Sequence, residues 1–188
     1  MYYYNGSGVG VGDFNNDGLQ DVFFSGNRVP NRLFLNRGDL KFEDATAQSG
    51  ISDVKDWANG VAIVDINQDG LLDIYVSVLG RYAPYESHNK LYICTKIDGK
   101  GQPFFEEKSK EYGLDLVGFG TQAAFFDYDL DGDLDMFQLN HSVHSNGTFG
   151  PRAIFQGKNH PLSGDRFFRN DANPGSKKRR SSFYGNNR

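Results

Sequence analysis

One chemical pattern occurs three times in this chain. Asp13, Asn15, Asp17 and Asp21 stand at the first, third, fifth and ninth positions of a nine-residue segment. Asp65, Asn67, Asp69 and Asp73 repeat that spacing, and Asp127, Asp129, Asp131 and Asp135 repeat it again. Glycine holds the sixth position each time, as Gly18, Gly70 and Gly132. Alternate residues of a tight loop turn their oxygens inward, the seventh residue adds a backbone carbonyl, and glycine permits the sharp bend. Such a set suits a hard cation. The pattern predicts three calcium ions, with Leu19, Leu71 and Asp133 supplying the seventh-position carbonyls.

The spacing differs from that of an EF-hand, which needs a bidentate Glu at the twelfth position and a helix after it. Here the twelfth position falls on Phe24, Val76 and Gln138. The flanks are β-like on both sides. Val61-Ala-Ile-Val64 and Ala123-Ala-Phe-Phe126 precede the second and third segments; Val22-Phe23-Phe24, Ile74-Tyr75-Val76 and Met136-Phe137-Gln138 follow. Each acidic segment is therefore predicted to join two strands. The alternative is an Asp-Gly hairpin turn without metal, but such a turn requires only one or two of these residues.

These loops sit in a chain of 188 residues, long enough for a real core. Aromatic residues make up 14%, and glycine occurs 23 times, a profile of many short strands joined by turns. Eleven of the 24 acids belong to the three segments, so the net charge of −4 reflects local cation chemistry more than an acidic surface. Cys94, in the run Leu91-Tyr-Ile-Cys94, reads as a small buried hydrophobe. There is no run of 18 apolar residues to span a membrane. No signal peptide precedes the first strand, and Met1-Tyr-Tyr-Tyr4 runs straight into the first repeat, as expected of a reading frame that begins inside a longer protein.

The loops recur at intervals of 52 and 62 residues, and other landmarks keep phase with them. An apolar strand follows each loop: Asn31-Arg-Leu-Phe-Leu-Asn36, Asn89-Lys-Leu-Tyr-Ile-Cys94 and Asp165-Arg-Phe-Phe-Arg-Asn170. Leu40 to Asp44 and Pro103 to Glu107 read as fourth strands, each followed by a helical or turn segment, Ala45 to Ile51 and Lys108 to Leu114. Four strands in about 50 residues is the size of a β-propeller blade. The expected fold is all-β, with about three four-stranded blades: residues 1–56, 57–116 and 117–170, the last incomplete and carrying a long insertion at 141–164. Residues 171–188 read as a polar, basic tail expected to be disordered, within which Phe183-Tyr184 is a candidate weak outer strand.

The phrases Gly8-Val-Gly-Val-Gly-Asp-Phe-Asn-Asn-Asp-Gly18, Val64-Asp-Ile-Asn-Gln-Asp-Gly-Leu-Leu-Asp-Ile-Tyr-Val76 and Gln122-Ala-Ala-Phe-Phe-Asp-Tyr-Asp-Leu-Asp-Gly-Asp-Leu-Asp-Met136 resemble the FG-GAP/VCBS repeats of integrin α propellers and of bacterial relatives of cartilage acidic protein. The resemblance covers residues 5 to about 170. It implies a seven- or eight-bladed propeller, calcium in the blade loops, an extracellular, cell-surface or periplasmic location, and adhesion or ligand recognition. The chain departs from the pattern in its blade number and in lacking an export signal.

Other chemistry is thinner. His141 and His144 head the longest insertion, but residues three apart on an extended segment face opposite ways and no third ligand is near in sequence. His88 and His160 are isolated. No nucleophile-base signature, phosphate-binding glycine loop or zinc cysteine pattern is present. The enzymatic alternative is a calcium-dependent polysaccharide-acting propeller of the lyase kind. Asn5, Asn140 and Asn146 open Asn-x-Ser/Thr triplets. Tyr82, Tyr85 and Phe149 sit in inserted loops and could stack on a carbohydrate or pack on a protein. The run Lys177 to Arg180 reads as a solvated tail, not a nucleic-acid site. Expected partners are a protein or carbohydrate ligand outside the cell, with self-association of open blades and no nucleic acid.

Overall fold

In the computed structural model, the residues described are 6–51, 55–80, 86–142 and 162–171, with the backbone of 183–186. Among them the chain forms twelve strands and no helix. The first sheet joins β1 (Val9–Gly12), β2 (Asp21–Phe24), β3 (Arg32–Asn36) and β4 (Phe42–Asp44). The second joins β5 (Ala58–Val64), β6 (Asp73–Val78), β7 (Lys90–Ile97) and β8 (Pro103–Glu107). The third joins β9 (Gly120–Phe126), β10 (Asp135–Asn140), β11 (Arg166–Asn170) and β12 (Phe183–Asn186). All pairings are antiparallel, and in every sheet the order in space is the order in sequence. Strand β12 lies within 171–188, and its Phe183 pairs with Asn170 of β11. The segments after β4 and β8 are turns.

Alternation along the strands decides what is buried. The middle sheet has neighbours on both faces, so all six residues of β6 are buried. One face meets the first sheet: Ile74, Val76, Val78 and Tyr92 pack with Phe14, Phe23, Leu33 and Leu35. The other face meets the third: Tyr75, Leu91 and Ile93 pack with Ala123, Met136 and Phe168. Burying each such side chain contributes about 1.5–3 kcal/mol, so these two seams hold the sheets together.

The first strands form the line of closest approach. Strand β5 touches β1 on one side and β9 on the other. Glycine allows it: a Cβ on Gly8 would fall on the Asn59 carbonyl, and one on Gly60 on the Thr121 carbonyl. Polar side chains stitch the same seam, with Ser25 Oγ donating to the Asn59 carbonyl at 2.9 Å and Asn59 Nδ2 to the Gly120 carbonyl at 3.0 Å. Among the described residues, nothing packs over much of the two outermost faces. Val9, Val11 and Phe24 are exposed on the first sheet; Phe126, Phe137 and Leu139 are exposed on the third.

Candidate metal centre

Each acidic segment joins the first two strands of a sheet, β1 to β2, β5 to β6 and β9 to β10. The three loops share one hydrogen-bond plan. The first aspartate accepts two backbone N–H bonds: Asp13 from Asp17 and Gly18 at 3.0 and 2.7 Å, Asp65 from Asp69 and Gly70 at 3.0 and 2.9 Å, and Asp127 from Asp131 and Gly132 at 3.2 and 3.1 Å. The fifth-position carboxylate accepts from the N–H of the seventh residue: Asp17 from Leu19, Asp69 from Leu71, Asp131 from Asp133. The backbone is left-handed at the fourth position, with φ of 56° at Asn16, 56° at Gln68 and 61° at Leu130. It is left-handed again at the sixth, where glycine carries no penalty.

The ninth aspartate has a second job that its place in the motif does not reveal. Asp21, Asp73 and Asp135 are fully buried. One oxygen of each accepts the N–H of the loop's second residue: Phe14 at 2.8 Å, Ile66 at 3.1 Å and Tyr128 at 3.1 Å. The other accepts an N–H from the third strand of the same sheet, Asn36, Cys94 or Asn170, each at 2.8 Å. The carboxylate therefore clamps loop to sheet. Burial pushes all three carboxyls above the ordinary range, against the pull of those backbone bonds, and the neighbouring loop acids add to the rise. For Asp73 the result is about 7.

The loops differ at the third position. Asn15 Nδ2 donates to Asp17 at 3.0 Å, and Asn67 Nδ2 donates to Asp69 at 2.9 Å. In the third loop that residue is Asp129, whose carboxylate has no N–H to give. Oxygens of Asp127, Asp129 and Asp135 all lie within 4.8 Å of one another, the one such group of three among the described residues. Calcium–oxygen distances of 2.3–2.6 Å place opposite ligands about 4.6–5.2 Å apart, so the spacing of this triad is compatible with one hard cation. In loops one and two the same positions carry oxygen donors, but the asparagine amide ties the fifth-position acid.

Elsewhere the structure gives ordinary roles to residues singled out by sequence. Cys94 is buried and free, its thiol pushed up to about 11 mainly by burial. His141 is half-buried and contacts the Ser142 carbonyl at 2.7 Å. His88 lies 2.8 Å from the Asn89 carbonyl and 3.2 Å from the Lys90 amine. Asn140 fastens the end of β10, donating to the Gly164 carbonyl at 2.7 Å. His144, His160, Asn5, Asn146, Tyr82, Tyr85, Phe149 and Lys177 to Arg180 lie outside the described residues.

Consecutive four-stranded antiparallel sheets, packed face to face along their first strands, are blades of the β-propeller kind. Residues 13–76 match the FG-GAP-like repeat family. The chain is 32% identical over 143 residues to cartilage acidic protein 1 of Homo sapiens, covering 76% of this chain and 20% of that protein. It is 30% identical over 144 residues to integrin alpha-3 of Mus musculus, covering 71% of this chain and 13% of that one. The chain thus spans about a fifth or less of the length of these relatives. No helix among the described residues is long and apolar enough to cross a membrane.

Proposed function

We propose that each acidic loop holds one divalent cation, calcium by donor chemistry, and that the blades form a recognition or scaffolding module outside the cell. The observation that carries the metal reading is the triad Asp127, Asp129 and Asp135, whose oxygens already lie within the ligand-to-ligand span of one calcium shell. The repeated plan extends the reading to Asp13, Asn15, Asp17 and Asp21, and to Asp65, Asn67, Asp69 and Asp73. Rotating the Asn15 or Asn67 amide would present its oxygen, and the carbonyls of Leu19, Leu71 and Asp133 would complete each shell. A cation offsets clustered negative charge: two carboxylates about 5 Å apart repel by roughly 3 kcal/mol at an effective dielectric near 20. The metal's role is structural, holding the first two strands of each blade.

Similarity to a cartilage protein and to an integrin chain supports the extracellular reading. The exposed Val9, Val11 and Phe24 at one end, and Phe126, Phe137 and Leu139 at the other, support contact with a further protein surface, including another copy of these blades. Equilibrium dialysis against calcium, with the bound metal counted, tests the site reading. Three ions per chain are expected. No bound calcium at millimolar free concentration would overturn it.

A further inference from the structure

Two bonds cross between neighbouring acidic loops, and both start from the fourth position. Asn16 Nδ2 of loop one donates to the Gly70 carbonyl of loop two at 3.3 Å. Gln68 Nε2 of loop two donates to the Gly132 carbonyl of loop three at 2.6 Å. The fourth position is not a ligand position, so the cation pattern gives no reason for an amide there. Both residues also hold a left-handed backbone, which asparagine tolerates better than glutamine does.

The acceptor glycines tie this bond to the neighbouring site. Gly70 stands between Asp69 and Leu71, and Gly132 between Asp131 and Asp133, each pair being the fifth and seventh positions of its loop. The same glycines donate their N–H to the first-position carboxylate, Gly70 to Asp65 at 2.9 Å and Gly132 to Asp127 at 3.1 Å. One glycine residue therefore meets the neighbour's amide through its carbonyl and its own loop's first acid through its N–H. In loop three the fourth residue is Leu130, with the same backbone but an apolar, exposed side chain. The series runs from loop one to two to three and stops.

We propose that Asn16 and Gln68 are positioning residues that couple adjacent cation loops, so that a cation ordering one loop pre-orders its neighbour. This rests on the cation reading above. A coupling free energy acts equally in both directions. One hydrogen bond of this kind corresponds to a coupling of about twofold to tenfold in affinity.

The test is a calcium titration of the full chain followed through the backbone amide resonances of Gly18, Gly70 and Gly132, one reporter per loop. Asp129→Ala weakens loop three without removing a loop-forming hydrogen bond. It should move the Gly70 midpoint to about twofold to tenfold higher calcium in the otherwise wild-type chain. In a Gln68→Met background, similar in length but without a donor, the Gly70 midpoint should no longer respond to Asp129→Ala. Gln68→Asn, which restores an amide of the kind at Asn16, should restore the response. Asn16→Met repeats the test at the first junction, with Gly18 as reporter and Asn67→Asp, which keeps the oxygen that accepts the Asp69 N–H and adds ligand charge to loop two, as a perturbation that should lower the Gly18 midpoint. Leu130 shows that an apolar side chain is tolerated at this position. Persistence of the response in Gln68→Met, or its absence in the wild-type chain, would overturn the coupling while leaving the cation sites standing. If no glycine resonance responds to calcium in any variant, the cation reading falls and the coupling with it.

Discussion

Loops two and three carry one motif into two surroundings. The base of loop two is covered: Ile66 is 2% exposed, packed among Leu114 and, from the third sheet, Ala123 and Met136. At the same position in loop three, Tyr128 is 45% exposed, and two residues on Leu130 is 87% exposed. Yet loop three has the extra acid, Asp129, and the closer carboxylate group. Ligand identity is thus written in the motif, while the cost of holding charge there is set by what packs over it. Loop two is a poorer ligand set in a drier place, and loop three a richer set in a wetter one.

Metal removal tests the contrast with the largest expected effect. At a hundredfold excess over Kd, calcium stabilises the fold by about 2.7 kcal/mol per filled site. Scanning calorimetry should show a higher melting temperature in calcium and a lower one in EDTA. An unchanged curve after confirmed metal removal would sink the role assigned to the loops.

Packing comes next. Ile66→Ala should cost about 2–5 kcal/mol, as expected for a fully buried large-to-small change. Tyr128→Ala should cost only about 1 kcal/mol, chiefly its edge-on contact with Phe167 at 4.4 Å. Equal losses in chemical denaturation would mean that loop three is covered as well as loop two.

The pH response separates the loops further. In metal-free protein the raised pKa of Asp73 contributes stability that is fully present below the ordinary carboxylate value of 3.8 and lost as pH rises through about 7. Asp21 and Asp135 act in the same direction. Asp44 and Glu107, held low by hydrogen bonds, act oppositely: their stability is present above ordinary carboxylate values and lost as pH falls through their lowered ones. Denaturation midpoints measured without metal should therefore decline between about pH 4 and 7, and Asp73→Asn should flatten that decline. Calcium affinity at loop two should rise over the same window, because binding displaces the proton.

The finest test concerns ligand charge. Asp129→Asn gives loop three the pattern of the other two and should weaken that site by about tenfold, or about 1.4 kcal/mol, with the fold intact. Asp135→Ala should do more harm, because it also strands the N–H groups of Tyr128 and Asn170. If calorimetric titration finds loop three weakest in the wild-type chain, coverage outranks ligand charge.

Much of this was legible in the sequence because repetition amplifies weak signals. The three loops, the strands beside them and the four-strand unit follow from spacing and alternation. The second role of Asp21, Asp73 and Asp135 did not. It depends on the register that brings Asn36, Cys94 and Asn170 alongside, and the N–H donors there are backbone groups, which almost any residue type can supply. The bonds from Asn16 and Gln68 were hidden for a related reason. They cross between repeats, so only the stacking of one blade on the next reveals them. Strand β12 lies in a polar context where Phe183 and Tyr184 give little pattern to read.

The glycines of the first strands have a geometric consequence. At β1 and β5 the gap between neighbouring sheets is set by a hydrogen atom, because a methyl at Gly8 or Gly60 would meet backbone oxygen. Away from that line the gap is set by aromatic rings, as where Phe14 meets Phe105 at 6.2 Å between centroids. Each sheet is thus thin at one edge and thick at the other, and stacking such wedges produces curvature. The repeat therefore encodes an angle as well as a sequence, and alanine at Gly8 or Gly60 would widen the thin edge and wind the same blades on a larger radius.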